Sequence, residues 1–427
     1  MRGNEPDCHL YGWTDRRSPG MSKRGLLMLV EDDTQTMPPR KRLLLISGYF
    51  PVETGGAEQQ VYCLVKYLQP HMDIHYLSLW DRDIESRDPG ITISTIPTRK
   101  RLRRILGRYY ALDYPWVMNA ISQVDPDIIY TRSATAHLAM AARYAMRSKC
   151  LLIWHISSMR DVQRFTAASL RTIPFDYLDK RMTEYGIRHA DYIIGQVKCQ
   201  DDLLRQNYGR ACDLIVGNWH PEPAQPCGKG RAVKVVWIAN IKPLKKPEAF
   251  IDLAERLTTI NDVECIMIGR PGSPRYQQDL ESRMRNVRRL IYLGERSIDE
   301  VNRILAESHI LVNTSAYEGF PNTFIQAWFR EVPVVSLHVD PDGILAREGV
   351  GFHSGSLERL AHDTKRLIEN SDLRTRMGTR ARALARQNHS LTRNLSRIAK
   401  FFEDVSGADV EGAQTRTAET WAIPRDY

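Results

Sequence analysis

The sequence predicts an α/β protein: two doubly wound parallel sheets that face each other across a cleft. Three observations predict it. From Lys41 onward, short apolar runs alternate with stretches of helical spacing, the pattern of buried parallel strands joined by crossover helices. The alternation breaks at residues 218–232, where Pro221, Pro223, Pro226, Gly228 and Gly230 punctuate the chain, and then it restarts. The chain has 427 residues, enough for two or three domains at about 150 residues each.

Residues 1–40 mix charge, Gly and Pro without periodicity and are expected to form a disordered extension. "RLLLISG" (42–48) reads as a buried strand ending in a Gly-rich loop, and "AEQQVYCLVKYL" as the helix behind it. "MDIHYLSL", "ITISTI", "DIIYTRS", "LLIWHIS", "DYIIGQV" and "CDLIVGN" follow as strands, mostly separated by helical stretches. They define a first Rossmann-like domain over residues 41–218. Residues 219–232 read as a linker. The second Rossmann-like domain, 233–390, opens on "AVKVVWIAN" and continues through "VECIMIG", "LIYLGE", "HILVNTS" and "VPVVSL", with helices expected at 247–257, 277–287 and 298–308. A helical run covers 372–405. Its last part, 391–406, is placed as a helix free to return to the first domain, ahead of a disordered tail at 407–427. Ligands of such sheets bind beyond the carboxyl ends of the strands.

Composition narrows the class. Hydrophobic residues make up 42% and charged residues 26%, as in ordinary globular proteins. No run approaches the ~18 apolar residues of a membrane span. "GLLMLV" near the N-terminus is too short for the core of a secretory leader. Seven scattered cysteines contain no C-x-x-C pair, which argues against structural zinc and a disulfide framework and for a cytoplasmic setting. The net charge of +9 invites an anionic partner.

Four strand ends carry candidate chemistry. "YEGFPNTFIQAW" (317–328) follows the strand "HILVNTS" and starts a helix without an acid in its first turn. Helix starts favour negative charge, so Asn322 and Thr323 head a backbone suited to an anion. Thr323 and Gln326 also fit a T-x-x-Q capping box, which competes for the Gln326 side chain. "ANIKPLKKPEAF" (239–250) crowds Lys242, Lys245 and Lys246 into the loop after the second domain's first strand. A lysine beside helix N–H groups suits a diphosphate; a solvated basic loop is the plainer reading. "SGYFPVETGGAEQQ" (47–60) puts Gly55 and Gly56 before a helix, either as a tight turn or to let a ligand approach the backbone. It is not G-x-G-x-x-G, which weakens nicotinamide chemistry. "LLIWHISSMRD" (151–161) ends a buried strand at His155, a structural histidine or a cleft-facing one.

Other patterns carry less. "DRD" at 81–83 and "DPD" at 125–127 and 340–342 are short enough to recur by chance, and no metal or other cofactor is expected. G-x-S-x-G, H-E-x-x-H and P-loop motifs are lacking, which argues against hydrolases, zincins and nucleotide triphosphatases. "RKRLRRILGRYY" (99–110) interleaves six basic residues, among them Arg101, Arg103 and Arg104, with Leu102, Ile105 and Leu106. It reads as a solvated helix or as a surface that docks on anionic lipid.

Together these motifs resemble the retaining glycosyltransferases of the GT-B fold, specifically glycosyltransferase family 4 (group 1), over residues 41 to about 405. "EGFPNTFIQAW" is similar to the family's E-G-(F/Y)…E-A segment, in which two glutamates bracket seven residues. "GGAE", "WHIS" and "ANIKPLKKPE" resemble its acceptor-side loop, its histidine motif and its G-R-L…K-G segment. Two departures stand out: Gln326 replaces the second glutamate, and Asn240 the arginine of G-R-L.

The resemblance implies an acceptor-binding first domain and a second domain that binds a nucleotide-sugar. It implies that Glu318 contacts sugar hydroxyls, Gln326 the ribose and Lys245 the diphosphate. Gly319, Phe320, Pro321, Asn322, Thr323 and Asn240 would complete the donor site, with Lys242 able to restore the charge lost at Asn240. Gly55 and Gly56 would form the acceptor-side phosphate loop, and His155 would sit near the transferred sugar. The expected partners are a nucleotide-sugar, a glycan or lipid-linked acceptor and an anionic membrane surface, with no nucleic acid. The expected setting is the cytoplasm, peripheral on the inner membrane face. A catalytically impaired binding subunit and a nucleotide-sugar epimerase are the competing readings.

Overall fold

The computed structural model describes residues 40–48, 55–78, 88–96, 110–132, 134–164, 174–223, 228–270 and 272–407. The proposed extension up to residue 39, the "DRD" at 81–83, Arg101, Arg103 and Arg104, and the tail from 408 lie outside the described residues. Among the described residues two parallel sheets form. The first contains β1 (Lys41–Ile46), β2 (Met72–Ser78), β3 (Ile91–Thr95), β4 (Ile128–Thr131), β5 (Leu151–His155), β6 (Tyr192–Gly195) and β7 (Leu214–Ile215), in the order β3-β2-β1-β4-β5-β6-β7. The second contains β8 (Val233–Ile238), β9 (Val263–Ile268), β10 (Leu290–Tyr292), β11 (Ile310–Asn313), β12 (Val334–Ser336) and β13 (Gly351–His353), in the order β10-β9-β8-β11-β12-β13. Strand order reverses between β1 and β4 in one sheet and between β8 and β11 in the other. Such switch points open a crevice at the carboxyl ends of the strands.

The apolar runs form strands because both faces are covered. Along β1, Leu43 and Leu45 pack into one layer while Leu44 and Ile46 pack into the opposite one. Along β8, Val235 and Trp237 face one layer and Val236 the other. Burial of each such side chain contributes about 1.5–3 kcal/mol, so the continuous apolar pattern fixes both register and layering.

The helical run at 372–405 is interrupted. Helix Ser371–Asn388 ends at His389, whose ψ of 14° at φ −128° leaves the helical region, and a new helix spans Leu391–Ser406. Its buried stripe Leu391, Leu395, Ile398 and Phe402 joins Leu43, Val61 and Tyr130 in the core of the first domain. The Phe402 and Tyr130 rings lie 5.8 Å apart. The chain therefore crosses between the sheets twice. The crossings run side by side, with His220 N donating to His389 O at 3.1 Å.

The first residue of the expected linker belongs to a core. Trp219 is buried, and its backbone N–H and C=O are both bound by the Gln60 side chain. The two "DPD" segments have structural partners. Asp125 pairs with Arg42 at 2.9 Å, and the Asp342 carboxylate accepts from the backbone N–H of Lys198 and Cys199, the first turn of a helix in the first domain. Among the described residues no helix is long and apolar enough to cross a membrane.

Candidate active site

The loops beyond the two switch points enclose a cavity of about 750 Å³, bordered by Gly55, Gly56 and Arg132 from one domain and by Asn240, Lys245, Glu318 and Gln326 from the other. Most of the residues singled out in the sequence therefore meet in one place.

On the second-domain side, two loops hold each other. A single helical turn, Pro243–Lys245, follows β8. The Thr314 hydroxyl, just past β11, lies 2.7 and 2.8 Å from the carbonyls of Lys245 and Lys246, and itself accepts from Trp237 Nε1 at 2.8 Å. Ala316 N donates to Leu244 O at 2.9 Å. These bonds present the Lys245 ammonium to the Glu318 carboxylate, and the two form an ion pair. Arg270, after β9, pairs with Glu295 at 2.7 Å. Lys242 borders a neighbouring depression with Asn240 and Tyr276 rather than the main cavity. The compensation expected of it for Asn240 is not placed in the cavity wall.

The capping box does not form. Helix Asn322–Trp328 has Pro321 at its N-cap, with no side-chain cap. The helix starts earlier than the T-x-x-Q pattern requires, so Thr323 is already in the first turn and Gln326 sits too far along to reach back. Gln326 is buried and borders the cavity.

The segment before this helix is docked on the first domain. A Cβ on Gly319 would meet the Ser157 carbonyl at 2.3 Å, so only glycine allows that approach. Phe320 N donates to Gln196 Oε1 at 3.0 Å, and Gln196 Nε2 donates to Ile156 O at 2.7 Å. Asn322 Nδ2 donates to Gly56 O at 2.9 Å, and a Cβ on Gly56 would meet that same Nδ2 at 2.8 Å. Asn218 joins the set. Its Nδ2 donates to Asn322 Oδ1 at 2.8 Å and to Phe320 O at 3.0 Å, and its Oδ1 accepts from Arg132 Nη2 at 2.6 Å.

His155 is placed differently from the expectation that puts it beside the transferred sugar. Its ring is fully buried and does not border the cavity. Side chains alternate along β5, so His155 shares the face of Ile153, toward Tyr130 in the core. Its Nδ1 lies 2.7 Å from the Tyr130 hydroxyl, while Nε2 bonds nothing among the described residues. Burial, reinforced by the nearby Arg132 cation, holds its pKa well below the usual histidine range.

Sequence reading missed three contributors: Arg132, Gln196 and Asn218. Arg132 carried a usable signal, a cation directly behind the apolar run "IIYT". Gln196 and Asn218 carried none, because their role depends on how the domains meet.

Comparison with known proteins agrees with this layout. The model described as "Glycosyltransferase Family 4" matches residues 54–216, and "Glycosyl transferases group 1" matches residues 232–370. "Glycosyltransferase 1 domain-containing protein 1" of Xenopus tropicalis is 23% identical over 160 residues, 36% of this chain and 46% of the relative, so the match spans just under half of that protein. Among solved structures, HepE from Anabaena in complex with UDP and glucose is similar at a TM-score of 0.67 and 18% identity, covering 85% of this chain and 100% of that one. Sucrose-phosphate synthase from Thermosynechococcus elongatus is similar at 0.69 and 14%, covering 87% and 100%. WaaG, described as a glycosyltransferase involved in lipopolysaccharide biosynthesis, is similar at 0.65 and 13%, covering 84% and 99%. At these identities the structures share the fold. With both family models matched in order, one on each sheet domain, the chain belongs to the group 1, family 4 glycosyltransferases of the GT-B fold.

Proposed function

We propose that the chain is a retaining glycosyltransferase that moves a hexose-type sugar from a nucleotide-diphosphate sugar to a glycan or lipid-linked acceptor, without a divalent metal. The observation that carries this reading is the meeting of Lys245, Glu318 and Gly56 in one cavity between the two switch points. Relatives of the same fold solved with UDP, glucose and UDP-glucose support the donor class. The involvement of WaaG in lipopolysaccharide biosynthesis supports a lipid-linked or cell-surface acceptor.

The chemistry follows from charge. Breaking the bond between the sugar's anomeric carbon and the diphosphate leaves negative charge on phosphate oxygen. A cation already held in place stabilises that charge most in the transition state. Lys245 is so held, and its resting partner is Glu318. On donor binding Lys245 exchanges the carboxylate for a phosphate oxygen, which frees Glu318 to accept hydrogen bonds from sugar hydroxyls. Gln326 offers its amide to the ribose, and Asn240 a neutral hydrogen bond where the family's arginine carries charge. The acceptor hydroxyl forms the new bond on the face the diphosphate leaves, and its proton passes to the leaving phosphate. His155 supports Tyr130 in this scheme and does not touch the sugar.

A thermal-shift screen against nucleoside diphosphates and their sugars tests the donor class. A ligand at 100 times its Kd adds about 2.7 kcal/mol, so one member of the panel should raise the melting temperature clearly. NMR of the product should then show the donor's anomeric configuration, at a rate that EDTA does not change. An epimerised nucleotide-sugar as product would make the chain an epimerase; binding without turnover would make it a binding subunit. Docking on anionic lipid through Arg101, Arg103 and Arg104 rests on the sequence. Vesicle flotation should show partitioning to anionic vesicles that Ser at these positions abolishes; equal partitioning to neutral vesicles counts against it.

A further inference from the structure

Arg132 immediately follows β4, at the switch point of the first sheet. It is 3% exposed and borders the cavity. Its Nη2 donates to Asn218 Oδ1, and its guanidinium lies 5.9 Å from the Trp219 ring. Nε and Nη1, both shielded from solvent, bond nothing among the described residues. The carboxylates that act on it electrostatically, Glu58 and Asp161, form no ion pair with it. Asp161 accepts from Ser157 N, Ser157 Oγ and Ser158 N, and Glu58 is folded back over Gly55.

The other cations around the cavity are matched. Lys245 pairs with Glu318 and Arg270 with Glu295, while Arg296 donates to Glu295 O and lies 3.8 Å from Glu300. Among the described residues, Arg132 is the cavity cation with no carboxylate partner. A buried charge without an ion-pair partner is among the costlier arrangements in a protein interior. Here a neutral carbonyl, Asn218 Oδ1, stands in for an anion.

We propose that Arg132, carried by the first domain, binds the diphosphate of the donor and supplies the positive charge that Asn240 does not. The proposal rests on the nucleotide-sugar reading of the cavity. Asn218 is the positioning residue. It holds the guanidinium at one end and, at the other, the Asn322 side chain that bonds Gly56, so Arg132 stands one side chain away from the line where the two domains meet. A guanidinium presents its donors in a fixed fork suited to phosphate oxygens. The two cations on the diphosphate then come from opposite domains, Lys245 from one and Arg132 from the other.

The test is calorimetric titration of the full chain and of Arg132→Gln and Arg132→Lys with inorganic pyrophosphate, UDP and uridine. Losing a charge-assisted bond should weaken pyrophosphate and UDP about tenfold or more in Arg132→Gln, with Arg132→Lys in between and uridine binding unchanged. Wild-type affinity for both anions in folded Arg132→Gln overturns the proposal, as does pyrophosphate failing to bind the wild type. If UDP does not bind the wild type but pyrophosphate does, and Arg132→Gln weakens it, the anion site stands and the uridine-nucleotide donor falls. Should Arg132→Gln not fold, Asn218→Asp decides. It gives Arg132 a carboxylate of its own, at the loss of the two bonds that Asn218 Nδ2 donates, and should weaken pyrophosphate; unchanged pyrophosphate affinity in the folded variant overturns the assignment.

Discussion

In the second domain the cations that border the cavity come in pairs, Lys245 with Glu318 and Arg270 with Glu295. Among the described residues the first domain brings one cation to the cavity, Arg132, and sets it against an amide. The strand order around both switch points is the same. The cavity cations of the second domain are thus paired without a ligand, and those pairs must be exchanged when one arrives. The first domain is incomplete, and an arriving anion costs it no existing ion pair. The difference separates two jobs: partner exchange, which suits a step where charge develops, and charge completion, which suits docking.

The largest expected effect breaks the paired side. Glu318→Ala and Lys245→Ala should each lower transfer on the order of 10²-fold, if each removes a contact of ~3 kcal/mol made in the transition state. The double variant should lose far less than the product of the two, since the residues act as one pair. Initial rates for the three variants check this, and near-wild-type rates would dissolve the contrast between the domains.

Next comes the contact that holds the two sides together. Gly319→Ala would push a methyl group into the Ser157 carbonyl, 2.3 Å from the new carbon, at a cost of roughly 1–3 kcal/mol. Thermal melting should show a single lowered transition.

Acid should strain the crossings. His220 and His389 are buried, and burial lowers their pKa to about 3 and about 4. In each ring Nδ1–H donates to a carbonyl, of Pro221 and Asn218 respectively, which fixes the tautomer, while burial keeps the ring neutral. The unfolded chain protonates these rings near pH 6.5 while the folded one does not. Stability should therefore fall as pH drops below 6.5, by up to about 1.4 kcal/mol per pH unit for each ring, until the folded rings themselves titrate. Between pH 6.5 and 5 that amounts to roughly 1–2 kcal/mol per ring. Urea unfolding across that range measures it; a flat profile would contradict their buried, neutral state.

The smallest effect sharpens the donor site. Gln326 does not cap its helix, so Gln326→Ala should leave the melting temperature nearly unchanged and weaken donor binding roughly two- to tenfold, the scale of one neutral hydrogen bond. Gln326→Glu should be tolerated.

The sheet domains were legible because parallel strands buried on both faces print as unbroken apolar runs, as "RLLLI" and "VKVVWI" do. The second-domain site was legible for a local reason: Lys245 and Glu318 each follow such a run. His155 follows one too, but its orientation depends on the pleat and on Tyr130, which only the folded sheet brings beside it. The capping box was a local pattern overruled by Pro321, which starts the helix earlier. Asn218 and Gln196 were invisible because their partners in the second domain lie more than 100 residues away.

The last helix has a consequence for the order of events during synthesis. The core of the first domain closes only when Leu395, Ile398 and Phe402 arrive against Leu43, Val61 and Tyr130. Between Trp219 and Phe402 the ribosome must add the whole second domain, which at 5–20 residues per second takes roughly 10–40 s. During that interval the nascent first domain carries an uncovered apolar face, while the second can fold as soon as its own strands have emerged. The domain made first is therefore finished after the second, and helix Leu391–Ser406 acts as its lock.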